Sequence, residues 1–405
     1  MESRKLQIPK GMQDTLPGEC SRKRRLEQDL RSLFALSGYQ EIETPILEYY
    51  DALNDPTYGY SPELVWKTFD SKGQVLAVRP DSTIPSVRLA AGRLREESLP
   101  LRLCYMQSAS HFVSDTLSML CEETQAGVEL MGESSPLADA EVIALAIEVL
   151  KQAGLRDFQI ELGHAGFFDG FMQEAGLTPE QASVIRELTE QKNALGMQLY
   201  LDKLSVSRDQ ARRLMRLPQL YGDASVLDEA AALTNHALCR ASIASLRQMI
   251  DILREYGCDQ YLSIDLGMVH QANYYSGTIF RGMTADLGQP LLSGGRYDGL
   301  PARFGREMPA TGFAVSLKLL MIAMERQGAA FTAPIPDEMV GFDAASLAEA
   351  IAYARHRREQ GVSVSLQYSA TPGELQDKAQ RGLTAKSVYI SRDGHREWLA
   401  GKEAE

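Results

Sequence analysis

The chain predicts an α+β fold that is interrupted by a helical insertion and followed by a small α/β tail. Three observations carry this. Strand-like runs of β-branched and aromatic residues recur between residues 39 and 162, with helical segments among them. Strand signals vanish from about Phe167 to Tyr256, where helical periodicity takes over, and return at Gln260. From Met339 onwards strand and helix patterns alternate. A chain of 405 residues can fill two or three cores. The expected division is residues 1–325, with the insertion at about 167–256, then a shortened unit over 337–405 after a linker containing Pro334 and Pro336.

In order, Pro9–Gly18 is a turn-rich lead-in. A helix over about 19–37 carries Leu26, Leu30, Leu33 and Phe34 on one stripe and stops at Gly38. Tyr39–Tyr50 reads as a strand that Pro45 must kink or place at an edge, because proline cannot donate to a ladder. Residues 66–79 form a hairpin around Asp70–Gly73 and deliver Arg79-Pro80-Asp81-Ser82-Thr83 to a helix that starts near Ile84. Strands follow at 101–106 and 124–131. An amphipathic helix is expected from Pro136 to about Ala153, and a further strand at 158–162.

After the insertion, strands are expected over 260–268 and in two runs within Gln271–Asp298, the second breaking into Gly294-Gly295 where backbone can approach closely. Adjacent strand residues point to opposite faces, so one of Tyr274 and Tyr275 would face a pocket while the other packs behind it. A helix is expected over about Val315–Arg326. The tail reads strand, helix, strand, helix, strand at Met339–Phe342, Ala344–Gln360, Val362–Tyr368, Pro372–Gly382 and Ser387–Ser391.

Composition narrows the function. A formal net charge of −12 argues against a polyanionic main partner, because nucleic-acid affinity rests on Lys and Arg at phosphates. The basic run Arg22–Arg25 reads as a solvated helix face. Five scattered cysteines without a CxxC spacing indicate neither a disulfide framework nor a zinc site, and six dispersed histidines offer no metal motif. No apolar leader core and no run near the ~20 residues of a membrane span is visible, which points to a cytoplasmic protein with no membrane partner. Walker-type, GxGxxG and GxSxG signatures are absent, and Gly294-Gly295-Arg296 is too short to cradle a phosphate.

Strand-borne polar groups remain as candidates. Asp81 and Thr83 stand at a strand end just before a helix; Gln125 and Glu129, four apart on one strand, share a face; Tyr274 or Tyr275 adds a phenol. Two carboxylates, an amide and a phenol suit a zwitterionic amino acid, with the acids on its ammonium group. Each also has a plain structural reading: Asp81 as a helix cap, Glu129 as a solvated sheet-edge residue, the tyrosines as core.

The order of motifs is similar to that of histidyl-tRNA synthetase-like proteins. It comprises Gly11-Met12-Gln13-Asp14-Thr15-Leu16-Pro17, the Tyr39–Glu48 segment with Pro45, Arg79–Thr83, Gln125-Ala126-Gly127-Val128-Glu129, Tyr274-Tyr275, Gly294–Gly299 and Thr311-Gly312-Phe313-Ala314. The resemblance covers roughly the first 325 residues. It implies the class II aminoacyl-tRNA synthetase fold, an antiparallel sheet flanked by helices, dimerising partly through the Pro45 segment. Against the synthetase pattern, the motif-two arginine that clamps the ATP α-phosphate falls at His111 and the next arginine of that loop at Ser114. The motif-three arginine falls at Leu319, and the arginine of the histidine-specific signature at His270.

Adenylate formation needs fixed cations on the phosphates, and neither Leu nor a mostly neutral His replaces a guanidinium fork. The resemblance therefore implies no catalytic residues, no cofactor and no metal, with Asp81, Thr83, Gln125, Glu129, Tyr274 and Tyr275 kept for histidine. That combination resembles the regulatory subunits of ATP phosphoribosyltransferase, a non-catalytic branch of the family. Membership would imply a short-form catalytic subunit as partner, self-association within a hetero-octamer, and histidine as the effector of feedback on the first step of histidine biosynthesis. The short tail and acidic balance argue against tRNA as a partner. An active histidyl-tRNA synthetase with an unusual ATP site, and a stand-alone non-catalytic paralogue, are the alternatives.

Overall fold

The computed structural model describes residues 6–9, 11–54, 62, 65–110, 122–204, 206–268, 274–329, 331, 334–368 and 370–400. The chain divides into a larger unit holding Arg22–Ala330 and a smaller one holding Phe331–Glu405. Among the described residues of the larger unit, nine strands form one sheet. Their spatial order is Gln40–Glu41, Leu101–Ser110, Glu122–Met131, Ala310–Ser316, Leu292–Arg296, Thr278–Met283, Gln159–His164, Leu262–Asp265 and Tyr221–Gly222. Neighbours pair antiparallel throughout the middle of the sheet; only Gln40–Glu41 with Leu101–Ser110, and Gln159–His164 with Leu262–Asp265, run parallel.

Strand alternation gives the sheet two unlike faces. One register row reads Cys104, Val128, Phe313, Gly294, Phe280, Leu162 and Ile264. This face is apolar and lies in the main core, against Leu26, Leu30 and Phe34 of helix Pro17–Leu36 and against helix Pro136–Gln152. Phe34 meets Phe313 edge-on, with centroids 6.4 Å apart. The other face carries the rows Leu103–Glu129–Gly312–Gly295–Ile279–Gly163 and Tyr105–Gly127–Ala314–Ser293–Arg281–Glu161. Glycines and small residues there leave a trough into which the few long polar side chains reach.

Helix Pro136–Gln152 keeps the expected amphipathic character with a wide buried face, through Ala138, Val142, Ile143, Ile147 and Leu150, and a narrow outer stripe of Leu137, Glu141, Glu148 and Lys151. Several other elements differ from the sequence reading. Ala310–Ser316 is a central strand, so Val315 lies within a strand and the helix begins only at Leu317. Pro45 separates two short strands that join different sheets. Gln40–Glu41 edges the large sheet, and Leu47–Tyr49 pairs with the hairpin Lys67–Phe69 and Val75–Val78 in a three-stranded sheet. Tyr274 and Tyr275 precede strand Thr278–Met283 in a turn, so strand alternation does not separate them.

Between residues 165 and 255 the chain is helical, through Ala165–Glu174, Pro179–Glu190, Ala194–Leu201, Arg208–Leu214, Val226–Leu233 and Ala237–Glu255, apart from a short turn and the two-residue edge strand Tyr221–Gly222. Thr178 and Ser207 each close a capping box with a glutamine three residues on. In the smaller unit, strands Val364–Tyr368, Glu338–Phe342 and Lys386–Ile390 run parallel, and Arg396–Ala400 adds an antiparallel edge absent from the sequence reading. Helices Leu347–Glu359 and Pro372–Gln380 connect them, and Leu375 seats on Gly341, where any Cβ would lie 2.2 Å from its Cδ1. No described helix is long and apolar enough to cross a membrane.

Candidate functional site

Glu129 stands fully buried in the middle of the trough. Its carboxylate lies over Gly312 of the neighbouring strand, where an added Cβ would sit 1.9 Å from Oε2. Tyr105 lies over Gly127 in the same way and donates its hydroxyl to Glu129 Oε1 at 3.2 Å. Tyr297 donates to Glu129 Oε2, and the Thr83 hydroxyl is hydrogen-bonded to the same carboxyl. Burial pushes the Glu129 carboxyl from its ordinary 4.5 up to about 8; the donors Tyr297, Thr83 and Tyr105 pull it down, and the Asp81 charge pushes it up further. Desolvation wins, so Glu129 is largely protonated at neutral pH.

Asp81 and Thr83 reach this point because Arg79 is locked in place. Its guanidinium donates to Thr44 O (2.6 Å), Ser108 O (2.6 Å) and Gln107 Oε1 (2.8 Å). Its backbone also bridges Ile46 and Ser110, so the chain turns at Pro80 with Asp81–Thr83 beside the trough. Asp81 Oδ1 accepts from Ile84 N at 3.3 Å, which makes it a helix cap as well as a neighbour of Glu129.

Both tyrosines of the pair sit here. Tyr274 is buried and edge-on to Tyr297, with centroids 5.9 Å apart. The Tyr275 ring tilts 50° against Tyr274 at 4.8 Å and covers Gly295. Burial raises the Tyr275 hydroxyl above its ordinary value, and the charges of Glu129 and Asp81 add to that.

The structure thus brings together Asp81, Thr83, Glu129, Tyr274 and Tyr275. Gln125 shares the Glu129 face but stands apart, in the row with Gln107 and Ser316; its Nε2 donates to Glu123 at 2.9 Å, and its buried Oε1 has no hydrogen-bond partner among the described residues. Tyr105 and Tyr297 are the residues that sequence reading missed. Tyr105 emerges from its register opposite Gly127 on the neighbouring strand, and Tyr297 from its hydroxyl reaching Glu129 across the strand that carries Gly312.

Leu319 packs against the main apolar cluster. His111, Ser114 and His270 lie outside the described residues. Among the described residues no group of three or more His, Cys, Asp or Glu side chains is placed to hold a metal ion.

A family model described as histidyl-tRNA synthetase matches residues 11–320. An ATP phosphoribosyltransferase regulatory subunit from Acetivibrio thermocellus is 40% identical over 362 residues, 89% of this chain and 87% of the relative. A solved ATP phosphoribosyltransferase regulatory subunit/histidyl-tRNA synthetase from Bacillus halodurans superposes with a TM-score of 0.84 at 33% identity, covering 95% of this chain and 98% of the other. The histidyl-tRNA synthetase of Nostoc sp. PCC 7120 shares the fold, with a TM-score of 0.79 at 21% identity and coverage of 98% and 97%. The chain belongs to the histidyl-tRNA synthetase family, in its branch of ATP phosphoribosyltransferase regulatory subunits.

Proposed function

We propose that this chain is a non-catalytic, cytoplasmic partner of a short-form ATP phosphoribosyltransferase catalytic subunit, which it activates and to which it helps confer feedback by histidine. The contrast between the trough and the motif-three position carries this reading. Asp81, Thr83, Glu129, Tyr274 and Tyr275 converge on a space with the polarity an amino acid needs, while Leu319, at the motif-three arginine position, packs on the apolar core. An adenylating enzyme must hold phosphates with fixed cations, and an aliphatic side chain cannot do so. The histidine pocket persists on this account without the ATP clamp. Histidine would bind one arrangement of the assembly better than another and shift the population towards it.

Self-association belongs to the same proposal. The outer face of the three-stranded sheet exposes Leu47 (40%) and Tyr49 (59%) beside Ile46 (51%), an apolar patch next to Pro45 that suits a second copy of the chain. Residues 1–325 would form the synthetase-like domain with its insertion at about 167–256, and 337–405 the shortened tail; the acidic net charge of −12 offers tRNA little.

Calorimetric titration of the chain and its complex with histidine, paired with a pyrophosphate-exchange assay, tests the reading. Heat on histidine addition with no histidine-dependent exchange into ATP is expected. Exchange would establish the synthetase alternative, and neither heat nor inhibition of the complex would overturn the sensing role.

A further inference from the structure

Behind the trough, on the helix-covered face, Arg296 makes an unusually complete set of bonds. Its Nε donates to Asp139 Oδ2 at 3.0 Å and Nη2 forms an ion pair with Oδ1 at 2.9 Å, although Oδ1 accepts no hydrogen bond among the described residues; Nη1 bonds Asp298 at 3.1 Å and Glu133 O at 3.2 Å, and Nη2 lies 3.4 Å from Ser135 O. Asp139 lies on the buried face of helix Pro136–Gln152, so the arginine is tied to the core. On either side of Arg296 along the chain stand Gly295, which the Tyr275 ring covers, and Tyr297, which donates to Glu129. The turn that carries the tyrosine pair is stitched to the same segment: Ser276 N donates to Arg296 O at 2.8 Å, and Asp298 N donates to Ser276 Oγ at 3.0 Å. Asp298 Oδ1 also accepts from Ala310 N at 2.9 Å, which fixes the strand bearing Gly312. The Arg296 stem fills the space beside Gly277, where a Cβ would meet its Cδ at 3.0 Å.

We propose that the buried Arg296–Asp139 pair is a positioning device for the ligand pocket, setting Tyr274, Tyr275 and Tyr297 from the opposite face of the sheet. This rests on the amino-acid-binding reading above. A planar guanidinium paired with a buried carboxylate and bonded at the same time to Asp298 and Glu133 O has its direction as well as its distance fixed; a lysine lacks that plane, and a neutral amide at 139 lacks the charge. The pair therefore governs how well the phenols are aimed, and so how well the pocket tells an imidazole from a ring without nitrogens.

The test uses the full-length chain with Asp139→Asn and Arg296→Lys, with Ile147→Val on the same helix as a control for general loosening of the core. Two readouts are taken. The first is the ratio of affinities for histidine and for β-(2-thienyl)alanine, a ring of similar size that offers no nitrogen. The second, independent of any ligand, is hydrogen exchange at the amides of Ser276, Tyr297 and Asp298. The proposal expects the ratio to fall by about tenfold or more and the three amides to lose protection in both pair variants, with both readouts near wild type in Ile147→Val. Unchanged protection and an unchanged ratio in folded pair variants would overturn it, as would equal losses in the control. If the wild type binds no histidine but the pair variants still lose protection, the binding reading fails and the positioning role stands.

Discussion

Glu129 concentrates the chemistry of the trough in one side chain. Its carboxyl rises from 4.5 to about 8 on folding, so the folded state holds a proton that the unfolded chain has released. The stability this contributes is complete below about 4.5 and is lost as pH climbs through about 8. Glu129→Gln removes that titration, so the stability difference between wild type and variant should shift in the variant's favour as pH rises across this window. Urea midpoints at pH 4.5, 6 and 8 would show it, and parallel curves would contradict the assignment.

Gly312→Ala places a Cβ 1.9 Å from Glu129 Oε2 and 2.4 Å from Val128 O, so backbone as well as side chain must shift. The expected cost is about 1–3 kcal/mol in urea unfolding, together with loss of histidine binding. At this scale Asp81, Thr83 and Glu129 were legible because a strand end before a helix and an i, i+4 strand pair can be read from one line of sequence. Tyr105 and Tyr297 were not, because their role arises from glycines on other strands.

Elements were readable where their surroundings are two-sided. Helix Pro17–Leu36 carries a stripe because one flank meets Phe313 and the other meets solvent, and the hairpin Lys67–Val78 announces itself by its turn residues. Elements enclosed on all sides lose that signature. Ala310–Ser316 lies between two strands, and its residues are small or apolar on both faces, so no alternation marks it. Helix Pro136–Gln152 keeps its stripe, with Glu141, Glu148 and Lys151 outward, although Asp139 turns inward to Arg296. Its buried face has an energetic consequence. Ile147 has no exposed surface, and Ile147→Ala should cost about 2–5 kcal/mol in unfolding experiments, because the lost side chain leaves a cavity in the core. A cost under about 1 kcal/mol would mean that Ile147 is less tightly packed than the structure shows.

For the molecule as a whole, the proposed account gives one face of the sheet to structure and the other to ligand, and assigns assembly to the small three-stranded sheet. Placing a charge on its apolar outer face with Tyr49→Lys should shift the chain towards a monomer in sedimentation analysis while leaving the fold intact by circular dichroism. A variant that sediments like the wild type would move the self-association surface elsewhere. The antiparallel sheet, the helical stretch and the α/β tail were visible in the order of strand and helix patterns. The resemblance pointed to the Pro45 segment as part of a dimer contact, but which of its side chains are exposed, Ile46, Leu47 and Tyr49, is a property of the folded chain.

The claim that this chain regulates a phosphoribosyltransferase is met most directly by reconstitution. The purified chain is added to the isolated short catalytic subunit, and the rate at which ATP is joined to phosphoribosyl pyrophosphate is followed with and without histidine. The account predicts a marked rise in rate on adding the chain and suppression of that rise by histidine. A rate that does not respond to the chain would contradict it.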